Sequence, residues 1–369
     1  MPRTENESMK RIIVCADGTW NEAERKSKDT GRPQPTNVLK VARAVLPIDS
    51  NGVEQVLYYH EGVGTLPGID KLTGGAFGSG MSRNVRALYR FLVYNFMPDD
   101  QIFLFGFSRG AFTVRTLLGF MNLVGLLQKN DEYFTRELYR LYESSIPKGS
   151  PAWEHAFRDI ESPRPCPPIR FIGVWDTVGS LGAPGILGQL FNRNKYKYHD
   201  IALNSHIEYA YHALAIDERR KPFAPSLWVR PADWQGTLEQ AWFPGVHSNI
   251  GGSYSPDGLA NEPLHWIVEK AEKQGLAFDG RFLAHYVPCF NSKLNDSMTP
   301  MYKLLGPYVR PIGRQIADGE TVHQASLDRM ALAECAYAPP NLRSSRNAGA
   351  LGTSNTTRIS RGTPCPPMH

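Results

Sequence analysis

A chain of 369 residues is long enough for one large α/β domain or two ordinary ones. Its 41% hydrophobic and 21% charged residues suit a soluble globular protein, and a net charge of +5 without basic runs between aromatics argues against nucleic acid as a partner. No stretch of 18 apolar residues occurs, so no transmembrane segment is predicted, and the mild positive charge leaves transient contact with an anionic membrane surface. Residues 1–10 form a polar N-terminal segment without the apolar core of a secretory signal, which predicts a cytoplasmic protein. Arg11–Ala16 is a short β-branched run that stops at Asp17-Gly18-Thr19, the pattern of a buried strand in a parallel sheet. A polar loop covers Asn21–Pro35, and a helix follows from Thr36 with Val38, Val41, Ala42 and Val45 on one face. Val53–Tyr59 is a second strand, ending at Glu61-Gly62-Val63-Gly64. A glycine-rich loop (Gly74, Gly75, Gly78, Gly80) leads to Ser82, the predicted N-cap of a helix to Phe96. Pro98-Asp99-Asp100 is a turn, Gln101–Phe105 a strand, and Gly106–Gly110 a sharp bend before a helix with Ala111, Val114, Leu118 and Met121 in register.

Ile169–Trp175 is the next strand and ends at Asp176. Ile207–Asp217 is predicted as helix, and Leu238–Val246 as a final strand ending at His247. Beyond Gly258 the pattern turns more helical, with Leu264, Val268, Ala271 and Phe278 on one face and Pro263 as a first-turn proline. From residue 339 the Asn, Ser, Thr, Arg, Gly and Pro content predicts a disordered tail over 339–369, leaving a folded domain over 11–338. Strands alternating with helices imply an α/β fold: a mainly parallel central sheet with helices on both faces and a more helical C-terminal region. In such sheets reactive side chains gather at the carboxyl ends of the strands. Asp17, Glu61, Ser108, Asp176 and His247 all follow predicted strands.

Gly106-Phe107-Ser108-Arg109-Gly110 places a serine on a strand–turn–helix bend, flanked two residues away on each side by glycine. Side chains at those flanks would collide with the packed elements, and the new helix presents backbone N–H groups to developing negative charge. The bland alternative is a glycine-flanked turn whose serine only caps the helix. A serine hydroxyl needs a base to take its proton and an acid to orient that base. In the α/β-hydrolase order of Ser, acid, His, the base is His247, which follows an apolar strand and precedes a glycine turn. His199, His206 and His212 sit on a predicted polar loop and helix, where surface roles suit them, and His285 and His323 lack a strand-end context. Asp176 is the acid, because a carboxylate ending an apolar strand needs a partner; Asp200 and Asp217 are rivals in more polar or helical stretches. The oxyanion donors expected are the N–H of Arg109 and those of the Gly18 and Thr19 loop, which Asp17 would hold through its own hydrogen bonds. Cys15 stands where a haloacid-dehalogenase phosphatase would need a nucleophilic Asp, so that reading is set aside. Asp17, Glu61, Gly62 and Phe107 are expected to line the substrate site, and Gly182–Gly188 with Phe191–Tyr198 to form a lid. Five scattered cysteines (Cys15, Cys166, Cys289, Cys335, Cys365) without a CxxC pair point away from a disulfide framework and from a zinc site. The constellation calls for no metal and no cofactor.

The blocks VCADGTWN (Val14–Asn21), TNV (Thr36–Val38), YYHEGVGT (Tyr58–Thr65), IFLFGFSRGAFTVR (Ile102–Arg115), FIGVWDTVGS (Phe171–Ser180) and WFPGVHSNIGGSY (Trp242–Tyr254) carry a resemblance. In that order they resemble the α/β-hydrolase family catalogued as domain of unknown function 2235. That family is similar to the catalytic part of phospholipase effectors delivered by bacterial type VI secretion. The resemblance implies the same triad of Ser108, Asp176 and His247, and a small-molecule or lipid ester as substrate. It also exposes a departure, Asn249 where such proteins tend to carry Asp two residues after the histidine. The expectation is therefore a serine esterase, lipase or phospholipase. The alternative, which Asn249 and the helical C-terminal third motivate, is a catalytically silent hydrolase-like binding or scaffold protein.

Overall fold

Six β-branched or aromatic runs and two short polar ones pair into a single sheet in which every strand is parallel to its neighbours. The computed structural model describes residues 8–18, 26, 31, 33–62, 74–161, 163–178, 203–304, 306–343 and 351–357. The strands are β1 (Arg11–Ala16), β2 (Gln55–His60), β3 (Gln101–Phe107), β4 (Ile169–Trp175), β5 (Ile207–Ala215), β6 (Thr237–Phe243), β7 (Glu320–His323) and β8 (Gly352–Ser354). Their order is β2-β1-β3-β4-β5-β6-β7-β8. From β1 the chain first crosses to β2 on one side and then to β3 on the other, so the order reverses between β1 and β3. Ligands of open α/β sheets bind in the crevice such a reversal opens at the carboxyl ends of the strands.

Alternation along the central strands divides the core into two layers. Ile12, Val14, Ile102, Leu104, Ile172 and Val174 face one layer, packed against α2 (Gly74–Asn95), α3 (Arg109–Val124), α4 (Thr135–Glu143) and α5 (Pro151–Phe157) through Leu88, Leu92, Val114, Leu117, Leu138 and Trp153. Ile13, Phe103, Phe105, Phe171 and Trp175 face the other, against α1 (Asn37–Ala44) and, beyond the short α6 (His247–Gly251), α7 (Gly258–Glu272). Strands buried on both faces have no polar side to show, which is why β1, β3 and β4 read as continuous apolar runs. Thr36 caps α1 by accepting the Leu39 N–H at 3.1 Å. The chain continues through α8 (Gly280–Leu283), α9 (Pro300–Leu304), α10 (Gln324–Ala331) and α11 (Pro340–Arg343).

Several sequence expectations are corrected. Ile207–Asp217 is not a helix. Its Ala, Leu and His residues have little strand preference, yet pairing on both sides with β4 and β6 overrides it. Helix α2 begins at Gly74, so Ser82 lies inside it and donates to Glu143 Oε1 at 2.8 Å instead of capping. Pro263 lies within α7 rather than in its first turn, and its carbonyl accepts the Trp175 indole N–H at 3.3 Å. Leu238–Val246 is not the last strand, because β7 and β8 extend the sheet. The tail expected over 339–369 contributes α11 and β8. Leu351 packs with Ile312, Val322 and Leu342, and Ser354 Oγ accepts the buried Trp266 indole N–H at 2.8 Å. Composition hides this because a short polar strand is stabilised by pairing and by the buried donors it satisfies. Cys289 is disulfide-bonded, against expectation, while Cys15, Cys166 and Cys335 are free thiols. Sequence spacing carries no information about the Cα approach a disulfide needs. Among the described residues no helix is long and apolar enough to cross a membrane, and no cluster of three or more metal-binding side chains forms.

Candidate active site

Strand β3 runs straight into α3 through Ser108, which adopts φ 58°, ψ −118°. A non-glycine residue holds such a backbone only where its surroundings over-determine it. Here the Ser108 N–H donates to the Trp175 carbonyl at 3.0 Å, and its own carbonyl receives the Phe112 N–H at 3.2 Å. The flanking glycines are steric requirements. A Cβ on Gly106 would lie 2.6 Å from Ala111 Cα, and one on Gly110 would lie 2.1 Å from the Ala16 carbonyl oxygen. The bend thus presses the start of α3 against the end of β1 and leaves Ser108 at the reversal in strand order.

At the end of β6, Pro244-Gly245 stops the strand, and His247 opens α6. Its ring stands between Phe107, 4.7 Å away between centroids, and Phe223, which meets it edge-on at 5.0 Å. His247 Nε2 lies 2.8 Å from Ser108 Oγ, and Nδ1 lies 2.6 Å from Asp176 Oδ2. Asp176, fully buried at the end of β4, sits at φ 40°. Burial alone would push its carboxyl up, but the Arg310 guanidinium and His247 outweigh that and hold it well below the usual carboxylate range. Beneath it His212, buried on β5, accepts the Thr177 N–H at Nε2 (3.1 Å). Burial, with Arg115 adding to it, pushes this imidazole down to about 3, so it is a neutral structural group and not the surface residue its predicted helix implied.

Residues 10–270 match the family described as the Tle1-like phospholipase effector of type VI secretion, catalytic domain. The chain belongs to this family. It is also 30% identical over 249 residues to an uncharacterized protein of Saccharomyces cerevisiae, YEL023C, covering 60% of this chain and 33% of that one. Among solved structures it is similar to an uncharacterized protein from Pseudomonas aeruginosa (TM-score 0.46, 15% identity, 77% of this chain and 49% of the other). It is also similar to the Tle1 effector bound to the VgrG spike of the type VI secretion system (TM-score 0.35, 20% identity, 67% and 51%). A third likeness is to a sugar hydrolase, YeeB, from Lactococcus lactis (TM-score 0.35, 13% identity, 74% and 94%). The chain spans only a third of the yeast relative's length and half that of the first two solved chains.

Within this Tle1-like domain the other anticipated residues divide. Asp17 is buried and turned inward: Oδ1 accepts the Gly18 N–H at 2.6 Å, and Oδ2 accepts the hydroxyls of Thr36 at 2.5 Å and Tyr59 at 2.9 Å. It therefore holds the loop after β1 rather than facing a substrate, and the Gly18 N–H is already engaged instead of awaiting an oxyanion. Thr19 and both proposed lid stretches lie outside the described residues. Phe107 packs beneath the His247 ring, where a Cβ on Gly251 would come within 2.0 Å of it, so it holds the imidazole in place. Glu61 is exposed beyond the edge strand β2, two strands and about 10 Å from β3. Gly62 beside it is buried. Arg109 is half-buried, and desolvation pushes its guanidinium down to about 9. Asn249 ties the histidine turn to the next loop: Nδ2 donates to Asn295 Oδ1 at 3.0 Å, and Oδ1 accepts the N–H groups of Val246 and Asn295, each at 3.3 Å.

Sequence reasoning missed Glu218, Phe223 and Arg310. Glu218 is buried, accepts the His247 N–H at 3.2 Å and the Ser297 hydroxyl at 3.0 Å, and is gripped by Arg220. None of the three follows an apolar strand directly or belongs to a motif, so no local signal marks them.

Proposed function

We propose that this chain is a serine-dependent hydrolase of carboxylic esters with a lipid-like acyl group. The observation that carries the reading is the unbroken line from Ser108 Oγ through His247 to Asp176, with both contacts at hydrogen-bond length. As Ser108 Oγ attacks the carbonyl carbon, its proton passes to His247 Nε2, while Nδ1–H stays with Asp176 and the carboxylate stabilises the imidazolium. Collapse of the tetrahedral intermediate breaks the ester C–O bond, and Nε2 returns the proton to the leaving alcohol. Water then repeats the sequence on the acyl-Ser108 ester. The first N–H of α3, on Arg109, is the proposed oxyanion donor, favoured by the positive end of a 16-residue helix.

Membership of a family named for phospholipase effectors supports a lipid ester over a peptide, with a phospholipid as the first candidate. Purified protein and Ser108→Ala are to be compared on p-nitrophenyl esters of increasing acyl length and on phospholipid vesicles, following acid release. Turnover by the wild type alone, rising with chain length, is expected. Equal turnover by Ser108→Ala removes the nucleophile, and a maximum at acetate removes the lipid preference.

A further inference from the structure

Asp176 is a carboxylate removed from water, and its two oxygens are shared among several donors. Ala215 N–H reaches Oδ1 at 3.0 Å and His247 Nδ1 reaches Oδ2 at 2.6 Å. The rest come from Arg310, 134 residues away and as deeply buried. Its Nη1 donates to Asp176 Oδ1 at 2.6 Å and to the Ala215 carbonyl at 2.9 Å. Its Nη2 donates to Asp176 Oδ2 at 3.0 Å and to the Phe223 carbonyl at 2.6 Å. The four Nη hydrogens thus meet four acceptors, a planar match that the single ammonium of a lysine does not reproduce.

We propose that Arg310 is a positioning residue for the acid of this site, an inference that rests on the reading of Ser108, His247 and Asp176 as a hydrolytic triad. Each carboxylate oxygen is held by Arg310 and by one further donor, so the group is fixed against rotation with Oδ2 presented to Nδ1. The same guanidinium grips the carbonyl of Phe223, whose ring bears on His247, so one side chain braces both the acid and the base's contact. Arg310 is itself held, since Asn341 Nδ2 donates to its carbonyl at 3.3 Å and to that of Ile216 at 3.0 Å. Both residues lie beyond the matched stretch of 10–270, so the site is completed from outside the family's region of similarity.

Arg310 also sets charge. Paired with it, Asp176 projects little net negative field onto His247. The other groups facing this pair are Glu218, which is gripped by Arg220, and neutral His212 below Thr177. The charge of Arg310 bears on Glu218 and His212 as well as on Asp176. Removing the cation leaves His247 facing an unneutralised carboxylate and so shifts the pH dependence of Ser108 labelling, whereas a residue that only packs would alter melting and leave that dependence unmoved.

The test is the rate of fluorophosphonate labelling of Ser108 from pH 5 to 9 in the full chain, for wild type, Arg310→Met and Arg310→Lys, with melting recorded alongside. Arg310→Met is expected to label about tenfold to a hundredfold more slowly, with its acidic limb displaced to higher pH. Arg310→Lys keeps the charge and loses the planar match, so it should label slowly with the limb near the wild-type position. Labelling of either folded variant at the wild-type rate overturns the proposal, as does slowing that merely tracks the folded fraction. If Arg310→Met does not fold, Arg310→Lys decides on the same criterion. A wild type that stays unlabelled at every pH overturns the hydrolase reading first, and this proposal with it.

Discussion

Replacing Glu262 by Gln is expected to stabilise the fold at neutral pH by an amount that grows with pH. Glu262 lies on α7 and is 5% exposed. Burial first, and the Asp328 carboxylate second, push its carboxyl from 4.5 up to about 8. Between those values the folded chain holds a proton that the unfolded chain releases. The stability it contributes is therefore fully present below about 4.5 and is lost as pH rises toward 8, at about 1.4 kcal/mol per unit. From 4.5 to pH 7 the loss amounts to about 3 kcal/mol. Glutamine keeps the volume and cannot ionise, so the variant escapes that loss. Asp217, which burial pushes up to about 6, has the same sign but is present in both proteins and cancels in the difference. Urea unfolding followed by tryptophan fluorescence at pH 5, 6, 7 and 8 gives the two stability curves. They should nearly meet at pH 5 and separate progressively above it; a constant separation across the range refutes the reasoning.

Three further outcomes follow from the site. Asp176→Asn leaves the buried Arg310 without a counter-charge; it should cost about 3–5 kcal/mol in urea unfolding and lower ester turnover about 10⁴-fold. A variant as stable as wild type would contradict the burial argument. Gly110→Ala sets a methyl 2.1 Å from the Ala16 carbonyl, a backbone atom that cannot swing aside. A destabilisation of about 1–3 kcal/mol and slower fluorophosphonate labelling are expected, and unchanged melting and labelling would count against the close approach of α3 and β1. Asn249→Asp keeps the side chain's size but turns a donor toward Asn295 Oδ1 and the Lys293 carbonyl into an acceptor. It should lower stability by about 1–3 kcal/mol, checked by thermal melting; a melting point at or above that of the wild type would show that the amide bonds are not what holds this turn.

Strands β1, β3 and β4 were legible because a strand buried on both faces must be apolar throughout, and β6 through its apolar end at Ala241, Trp242 and Phe243. The bend at Ser108 was legible for a second local reason: a nucleophile on a tight turn tolerates only glycine two residues to either side. Asp176 and His247 could be singled out as polar residues ending apolar runs, and the structure joins them in one hydrogen-bonded line in which His247 stands between Asp176 and Ser108. By contrast, β5 mixes Ile207, Tyr209 and Tyr211 with helix-tolerant Glu, Ala and Leu, and its pairing with β4 and β6 decides it as a strand, which also hid buried His212.

The division between the two sources of information follows the range of the forces involved. Hydrophobic alternation, turn sterics and capping act over a few residues, and they alone determined the α/β class, the strand ends and the elbow of this protein. Satisfying a buried charge or donor depends on whatever side chain the chain brings alongside, at any separation in sequence. So only the tertiary structure decided that Asp17 faces inward, that Phe107 and Phe223 hold the imidazole, and that β8 completes the sheet from a polar tail. Arg310 is the clearest case: nothing around it in sequence marks it among 41 basic residues, yet it neutralises a carboxylate that neither water nor backbone alone could accommodate in the core.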